Sequence, residues 1–368
     1  MTMSAHQIRV GIVGVGNWGR YGHIPVLQFL PNFEIVAVSS RRKEQAEELA
    51  KKFNIANAFT DANELINHSD VDLVIVLPPA PQHASFVRTA IAAGKDVYCE
   101  WPLTPTIADT EDLLARAEAA GVRHVVGLQR RLGPSARYLR DLLAQGYVGK
   151  VRSVRMHVSM NYFQGRRSTD LAWTVPAKNF SHILSIYGGH FLDMLFKVVG
   201  QPETLSAAVK SQFESITLAE TGETFPNETP DQVVVIGTLE AGAVFSIQIE
   251  GGKRNNSGLQ IDITGMEGDL KISNPLSFGN FEDNKIEGSQ GDNQPLAVLP
   301  IPSSYTDLPA STLDASVLDL AYLYSAYAKD RERGTHDAPT FSDAVKLHKL
   351  LNLISESSDT GTRKSVKS

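Results

Sequence analysis

The stretch Val10-Gly11-Ile12-Val13-Gly14-Val15-Gly16-Asn17-Trp18-Gly19 constrains this chain more than any other, because an apolar run passes directly into the spacing G-x-G-x-x-G. Each glycine has its own task there. The first permits a tight turn after a strand, the second lets the backbone approach a pyrophosphate, and the third lets the next helix pack closely on the strand. The helix N-terminus adds oriented N–H groups and the positive end of a dipole. The hexapeptide alone is a weak signal, since a glycine-rich turn can exist without a ligand. Its place between a strand and a helix, at the head of further βαβ units, points to dinucleotide binding through Gly14, Gly16, Asn17, Trp18 and Gly19.

The pattern behind it repeats. Apolar runs at 8–13, 34–39, 71–76 and 96–100 alternate with helical periodicity at 23–30, 43–53, 82–93 and 107–120, and 125–127 closes the series. Strands separated by helices of that length need crossover connections, so residues 1–128 are expected to form a doubly wound parallel Rossmann sheet. After Gln129 the pattern changes. A helix at 134–145 precedes long strands with polar alternation at 151–160, 204–212, 231–239, 243–250, 260–265 and 269–272. Turn signals such as Glu240-Ala241-Gly242 predict hairpins, so residues 129–358 read as an α/β domain with an open, mostly antiparallel sheet. Its helices are expected at 181–199, 313–329 and 341–358. The stretch 280–309 reads as a long surface loop or edge excursion, and 359–368 as a frayed, flexible tail.

Charge narrows the function. Thirty-five Lys and Arg against 41 Asp and Glu leave a net charge of -6, so no general attraction to phosphate backbones or anionic lipids is expected, and direct nucleic-acid binding is disfavoured. No apolar run approaches the roughly 18 residues of a membrane span, and Met1 to His6 lack the pattern of a secretory leader. The single cysteine, Cys99, excludes an internal disulfide and a cysteine metal cluster. No metal site is expected, since His182 and His190 lie about two helical turns apart with no carboxylate cluster to complete one. These features place the chain in the cytoplasm, or in the nucleus if it is a eukaryotic regulator.

The second strand runs out into Ser39-Ser40-Arg41-Arg42, about 20 residues past the last glycine, where an acid would bind the ribose hydroxyls of NAD. No acid is there. Ser40 can hydrogen-bond a 2′-phosphate and Arg41 or Arg42 can pair with it through a planar fork, which favours NADP(H) over NAD(H). The alternative is a solvated first helical turn. The third strand exits through Leu77-Pro78-Pro79-Ala80-Pro81-Gln82-His83, at the end where ligands sit in an open α/β sheet, which nominates Leu77, Pro78 and His83. His83 also reads as an ordinary helix-start residue.

Further segments carry a resemblance. Gly94 through Leu103, reading GKDVYCEWPL, Leu142 through Val151, reading LLAQGYVGKV, Gly189-His190-Phe191-Leu192-Asp193, and the closing helix from Asp343-Ala344-Val345 join the glycine motif in resembling the glucose-fructose oxidoreductase and inositol dehydrogenase (Gfo/Idh/MocA) family over nearly the whole chain. The resemblance implies a Rossmann domain followed by an α/β domain whose sheet covers the nicotinamide end and supports a homo-oligomer. It places Glu100 and Trp101 at the cofactor. The family usually has Glu-Lys-Pro where this chain has Glu100-Trp101-Pro102, its lysine moving the substrate hydroxyl proton, and an aspartate four residues before the histidine, where this chain has Ile186.

A positioned acid or base typically contributes ~10²–10⁴-fold to such a reaction. His190 is retained for that work, with Tyr162, Tyr187, Lys178 and His182 as substitute donors, although a satisfied helix-face histidine beside Asp193 is an equal reading. Cys99 reads as a packed small hydrophobe. Two functions follow. One is an NADP(H)-dependent oxidoreductase acting on a small sugar-like, polyol or carbonyl substrate. The other is a catalytically silent NAD(P) sensor that contacts a regulatory protein. The Glu-Trp pair, Pro230 through Gln232, Gly251 through Lys253, Gly265 through Lys271 and Pro339 through Leu350 resemble the branch of the yeast galactose-regulon repressor, which implies that second function.

Overall fold

The computed structural model describes residues 7–255, 258–278 and 281–366. The segment 1–6, examined above for a leader, and Asn280, the start of the 280–309 stretch, lie outside the described residues, as do 367–368 of the tail. The chain packs as two compact units, Met1–Gln129 with Leu320–Lys346, and Arg130–Asp319 with Leu347–Ser368.

The first unit alternates β1 (Ile8–Val13), α1 (Ile24–Phe29), β2 (Phe33–Ser39), α2 (Lys43–Phe53), β3 (Asn57–Phe59), α3 (Ala62–Ile66), β4 (Leu73–Val76), α4 (His83–Ala92), β5 (Asp96–Cys99), α5 (Ile107–Ala120) and β6 (His124–Val126). Among the described residues these strands form a six-stranded sheet in the order β3-β2-β1-β4-β5-β6, every pair parallel. β4 is wholly buried and β1 nearly so, which explains their unalternated apolar sequence, since a parallel sheet is covered on both faces. α5 starts where Thr106 accepts the Asp109 N–H and stops at Gly121, φ 65°, both ordinary helix-end devices. The first helix begins earlier than its periodicity suggests, at Asn17, and includes a π-helical turn over Gly19–His23. The short β3 and α3 offered too few residues for a periodic signal.

The second unit contains α6 (Pro134–Ala144), β7 (Val151–Ser159), β8 (Arg166–Arg167), α7 (Gly189–Val199), β9 (Pro202–Lys210), β10 (Ser215–Leu218), β11 (Thr224–Pro226), β12 (Gln232–Leu239), β13 (Val244–Glu250), β14 (Gly258–Gly265), β15 (Gly268–Asn274), β16 (Lys285–Gln290) and β17 (Ala297–Val298). Then come α8 (Ala315–Arg333), α9 (Phe341–Thr360) and β18 (Lys364–Ser365). The large sheet runs β17-β16-β15-β14-β7-β13-β12-β9-β18 among the described residues. Of its pairings only β13 with β7 is parallel, so the sheet is mixed and mostly antiparallel, as expected. Alternation divides its faces. Val233, Val235, Phe245, Ile247, Ile249, Ile261 and Ile272 are buried, and α6 and α7 supply Leu139, Met194, Leu195 and Val198 against Ile261 and Ile272. Val234, Ile236 and Val244 on the opposite face are exposed.

Two expectations change and a third is narrowed. The stretch 320–346, assigned above to the second domain, packs in the first unit. Tyr324 and Tyr327 of α8 and Phe341 of α9 are buried there; the Tyr327 hydroxyl donates to Asp96 at 2.7 Å, and the Phe341 N–H donates to His124 Nδ1 at 3.1 Å. A helical apolar pattern reveals a buried face without revealing which core it enters. Of the two alternatives for 280–309, the edge excursion holds: among the described residues the stretch carries two strands, β16 and β17, which extend the sheet edge. The tail is paired rather than frayed. Lys364 and Ser365 pair with Leu205 and Thr204 of β9, and the Val366 N–H donates to the Glu203 carbonyl at 2.9 Å. Among the described residues no helix is long and apolar enough to cross a membrane.

Candidate functional site

Strand register builds the first unit's site. Val13 is paired with Ser39 and Val76, Val76 with Cys99, and Cys99 with Val126. The next residues, Gly14, Ser40, Leu77 and Glu100, therefore line one edge, the carboxyl ends of the strands. The order reverses between β1 and β4, the crevice where open α/β sheets hold ligands. Gly14 has φ 81°, and a Cβ there would lie 3.1 Å from the Pro78 ring, whereas a Cβ on Gly16 would meet nothing within 4 Å. A Cβ on Gly19 would stand 3.2 Å from Leu77. Gly16 and Asn17 are exposed at the helix start. An exposed glycine facing open space beside oriented N–H groups fits the close approach of a dinucleotide pyrophosphate.

At the end of β2, the Ser40 hydroxyl donates to Gln45 Oε1 at 2.8 Å, and Arg42 reaches the same oxygen through Nε and Nη2 at 3.3 and 3.2 Å. Arg41 is exposed beside them. Gln45, which no motif marks, thus gathers Ser40 and Arg42 into one polar group. Leu77 and Pro78 are half-buried along the glycine turn. His83 is buried, with Nδ1 2.9 Å from the Pro102 carbonyl and Nε2 facing the Pro78 carbonyl. Burial lowers its pKa, so the neutral ring has one N–H and donates it to one of these two carbonyls. Both nitrogens face backbone inside the protein, so His83 ties two loops together as a positioning residue and is not placed as a cofactor contact.

Beyond β5 a buried polar chain continues inward. Glu100 Oε1 accepts from the Tyr98 hydroxyl and lies 2.9 Å from His23 Nε2, while His23 Nδ1 lies 2.6 Å from the Tyr324 hydroxyl. Burial pushes both tyrosine hydroxyls well above their usual range, so they stay protonated donors. Trp18 packs edge-on to the His23 ring at 5.8 Å, and Trp101 is buried. Burial likewise raises the Cys99 thiol, which suits a packed hydrophobe and not a nucleophile.

The second unit gathers three of the nominated donors around Phe278. Its ring lies 4.5 Å from Tyr187, 5.5 Å from His190 and 5.4 Å from Phe191, all edge-on. Tyr162, 45% exposed, stacks on Tyr187 at 6.0 Å. Burial raises the Tyr187 hydroxyl. The Arg130 guanidinium carbon lies 4.4 Å from the Phe191 ring and 4.4 Å from the Phe278 ring. Two nominated residues stand elsewhere. Lys178 is exposed on the short turn Ala177–Asn179, and His182 caps the turn Ile183–Gly188, its Nδ1 accepting the Ser185 N–H. Asp193 forms a buried two-bond pair with Arg131, so its carboxylate is engaged by Arg131. Sequence reasoning missed His23, Gln45, Arg130, Phe278 and Tyr324; only the adjacent arginines after β6 carried a local signal. Among the described residues no group of three His, Cys, Asp or Glu side chains gathers to hold a metal.

Residues 8–128 match the family described as oxidoreductase family, NAD-binding Rossmann fold, and residues 134–274 match the family described as Gal80p, C-terminal domain. Dehydrogenase aclE of Aspergillus oryzae is 31% identical over 284 residues, 73% of this chain and 77% of that protein. The galactose/lactose metabolism regulatory protein GAL80 of Saccharomyces cerevisiae is 24% identical over 319 residues, 80% of this chain and 73% of that protein. Levoglucosan dehydrogenase in complex with NADH and levoglucosan shares the fold with a TM-score of 0.85 at 19% identity, over 99% of this chain and 100% of that one. The chain belongs to the Gfo/Idh/MocA oxidoreductase family, with a NAD-binding Rossmann domain followed by a Gal80p-type C-terminal domain.

Proposed function

We infer that the protein is an NADP(H)-dependent oxidoreductase that interconverts a hydroxyl and a carbonyl on a small sugar-like or polyol substrate in the cytoplasm. The observation that carries this reading is the cradle formed by positive-φ Gly14 and open-faced Gly16 ahead of a helix, in a chain 31% identical to a dehydrogenase. Gly14, Gly16, Asn17 and Gly19 would hold the pyrophosphate. Ser40, Arg41 and Arg42 would bind the 2′-phosphate, with Gln45 presetting two of them. The bound cofactor supplies or accepts the hydride. His190 would take the hydroxyl proton during oxidation and return it during reduction, with no lysine at position 101 to do so. The Tyr187 hydroxyl, held protonated by burial, would orient the substrate oxygen by donating to it.

A second reading has its own support. Trp101 is a buried apolar ring where family members carry lysine, and the C-terminal match is to Gal80p, which favours a silent NAD(P) sensor acting on a regulatory protein. One assay separates them. NADPH is mixed with sugar ketones and aldehydes, and nicotinamide absorbance is followed. Sustained turnover abolished by His190→Ala supports the oxidoreductase; tight NADPH binding without turnover on any member overturns it. Equal affinity for NADH and NADPH, unaffected by Arg41→Ala, would overturn the NADP(H) preference.

A further inference from the structure

Glu100 belongs to a buried hydrogen-bonded chain that the proton transfer assigned to His190 does not use. The hydroxyl of Tyr324, fully buried, has one acceptor among the described residues, His23 Nδ1 at 2.6 Å. The ring proton of His23 therefore sits on Nε2, 2.9 Å from Glu100 Oε1, and the Tyr98 hydroxyl donates to the same oxygen. A hydroxyl and an imidazole N–H thus fix this carboxylate without bringing a positive charge to it. Glycine at 127 makes room for them, since a Cβ there would lie 2.7 Å from the Tyr98 hydroxyl and 3.1 Å from Glu100 Oε1. Burial, and after it the Glu100 charge, raises the Tyr98 and Tyr324 hydroxyls and the Cys99 thiol. The Glu100 side chain is 16% exposed, so little water screens its charge. It follows β5 on the strand edge shared with Gly14, Ser40 and Leu77, where the strand order is β2-β1-β4-β5. A dinucleotide with its ribose phosphate at Ser40 and Arg42, and its pyrophosphate on the glycine turn after β1, has its nicotinamide half on the other side of β1, over β4 and β5. Adjacent strands are ~4.8 Å apart, so Glu100 stands about 10 Å across the sheet from Gly14.

We propose that Glu100 is a fixed anionic group of the nicotinamide half of the site, that His23 is its positioning residue, and that they make the protein bind oxidised dinucleotide more tightly than reduced. The nicotinamide ring is a cation when oxidised and neutral when reduced, so a carboxylate held on its side of the sheet attracts one form and not the other. The proposal rests on the dinucleotide reading and not on turnover. In an oxidoreductase the preference favours the oxidised cofactor and with it oxidation of the hydroxyl. In a silent sensor the same preference is the signal, because occupancy then follows the ratio of oxidised to reduced dinucleotide.

The test is calorimetric binding to the full-length, cofactor-free protein at constant ionic strength. The probes are NADP+, NADPH, NAD+, NADH and ADP-ribose 2′-phosphate, a fragment that has the phosphates and no nicotinamide. Wild type is expected to bind each oxidised form about tenfold or more tighter than its reduced form, the size of a partly screened attraction between two unit charges. Glu100→Gln keeps the shape and an acceptor, and should lower both ratios about tenfold while leaving the fragment's affinity unchanged. His23→Gln retains a donor for Glu100 and should keep most of the ratio. His23→Phe fills the space without a donor and should lose about threefold or more of it. Fragment binding reports that each variant has folded. Equal or tighter binding of the reduced forms by wild type overturns the proposal and needs no variant. Unchanged ratios in Glu100→Gln overturn it as well and leave the network a purely structural role, and an unchanged ratio in His23→Phe overturns the role of His23. Binding of the fragment with equal affinity for oxidised and reduced forms removes the anionic group and leaves the dinucleotide reading, whereas no binding of any probe overturns both.

Discussion

Gly16→Ala separates the cradle's two roles, holding the fold and admitting a ligand. The new methyl would meet no protein atom within 4 Å, and Gly16 does not have the positive φ that Gly14 has. Replacing a glycine at a compatible φ gains ~0.4–1 kcal/mol by restricting the unfolded chain, and Ala in place of Gly just before a helix loses a similar amount. The two effects cancel to within about 1 kcal/mol. Gly14→Ala is different. At φ 81° a Cβ is strained and would lie 3.1 Å from Pro78, a loss of about 2 kcal/mol or more. For cofactor binding the order reverses. The Gly16 methyl displaces a pyrophosphate from one or two charge-assisted hydrogen bonds of ~1.5–3 kcal/mol each, so the NADPH dissociation constant should rise about tenfold to 100-fold or beyond. Thermal melting and a fluorescence titration with NADPH measure the pair. Unchanged NADPH affinity in Gly16→Ala, or a loss of stability as large as that in Gly14→Ala, would refute the reasoning.

Arg131→Ala strands Asp193 in a buried site and should lower stability by about 3–5 kcal/mol in denaturant titration. His182 has its pKa lowered to about 4 by burial, below the ~6.5 of an unfolded chain; the unfolded state therefore binds more protons between these values, and stability falls as pH drops from 7 toward 4. The loss is on the order of 2 kcal/mol by pH 5. His182→Asn keeps a capping acceptor for Ser185 and should remove that part of the pH slope. His23→Ala leaves the Glu100 carboxylate and the Tyr324 hydroxyl without their shared ring, at a cost of ~2–4 kcal/mol visible in the melting curve. Truncation after Ser358 removes the ladder to Leu205 and Thr204 and should cost about 1–3 kcal/mol, where a frayed tail would cost nothing.

What was legible in the sequence was local. The run Leu73–Val76 and the helix Lys43–Phe53 carry their structure in four to eleven neighbouring residues, and the glycine turn carries its chemistry in six. The rest depends on partners far away in the chain. Tyr324 meets His23 across 301 positions, and nothing near either residue encodes the other. Phe278 gathers Tyr187, His190 and Arg130 from a loop with no periodicity. The assignment of 320–346 to the second domain failed for the same reason, since periodicity gives a helix its apolar face and leaves its destination open.

The paired tail bears on solubility. Ser357 and Ser358 hydroxyls accept the Ala207 and Val209 N–H groups, and β18 covers Thr204 and Leu205, so the outer edge of β9 offers few free groups. Without that cover, a nine-residue strand would be open to pairing with any extended chain. Tail truncation should therefore produce self-association on warming as well as a lower melting temperature. Fusion partners attached after residue 366 would enter at this edge, beside the strand that must stay covered.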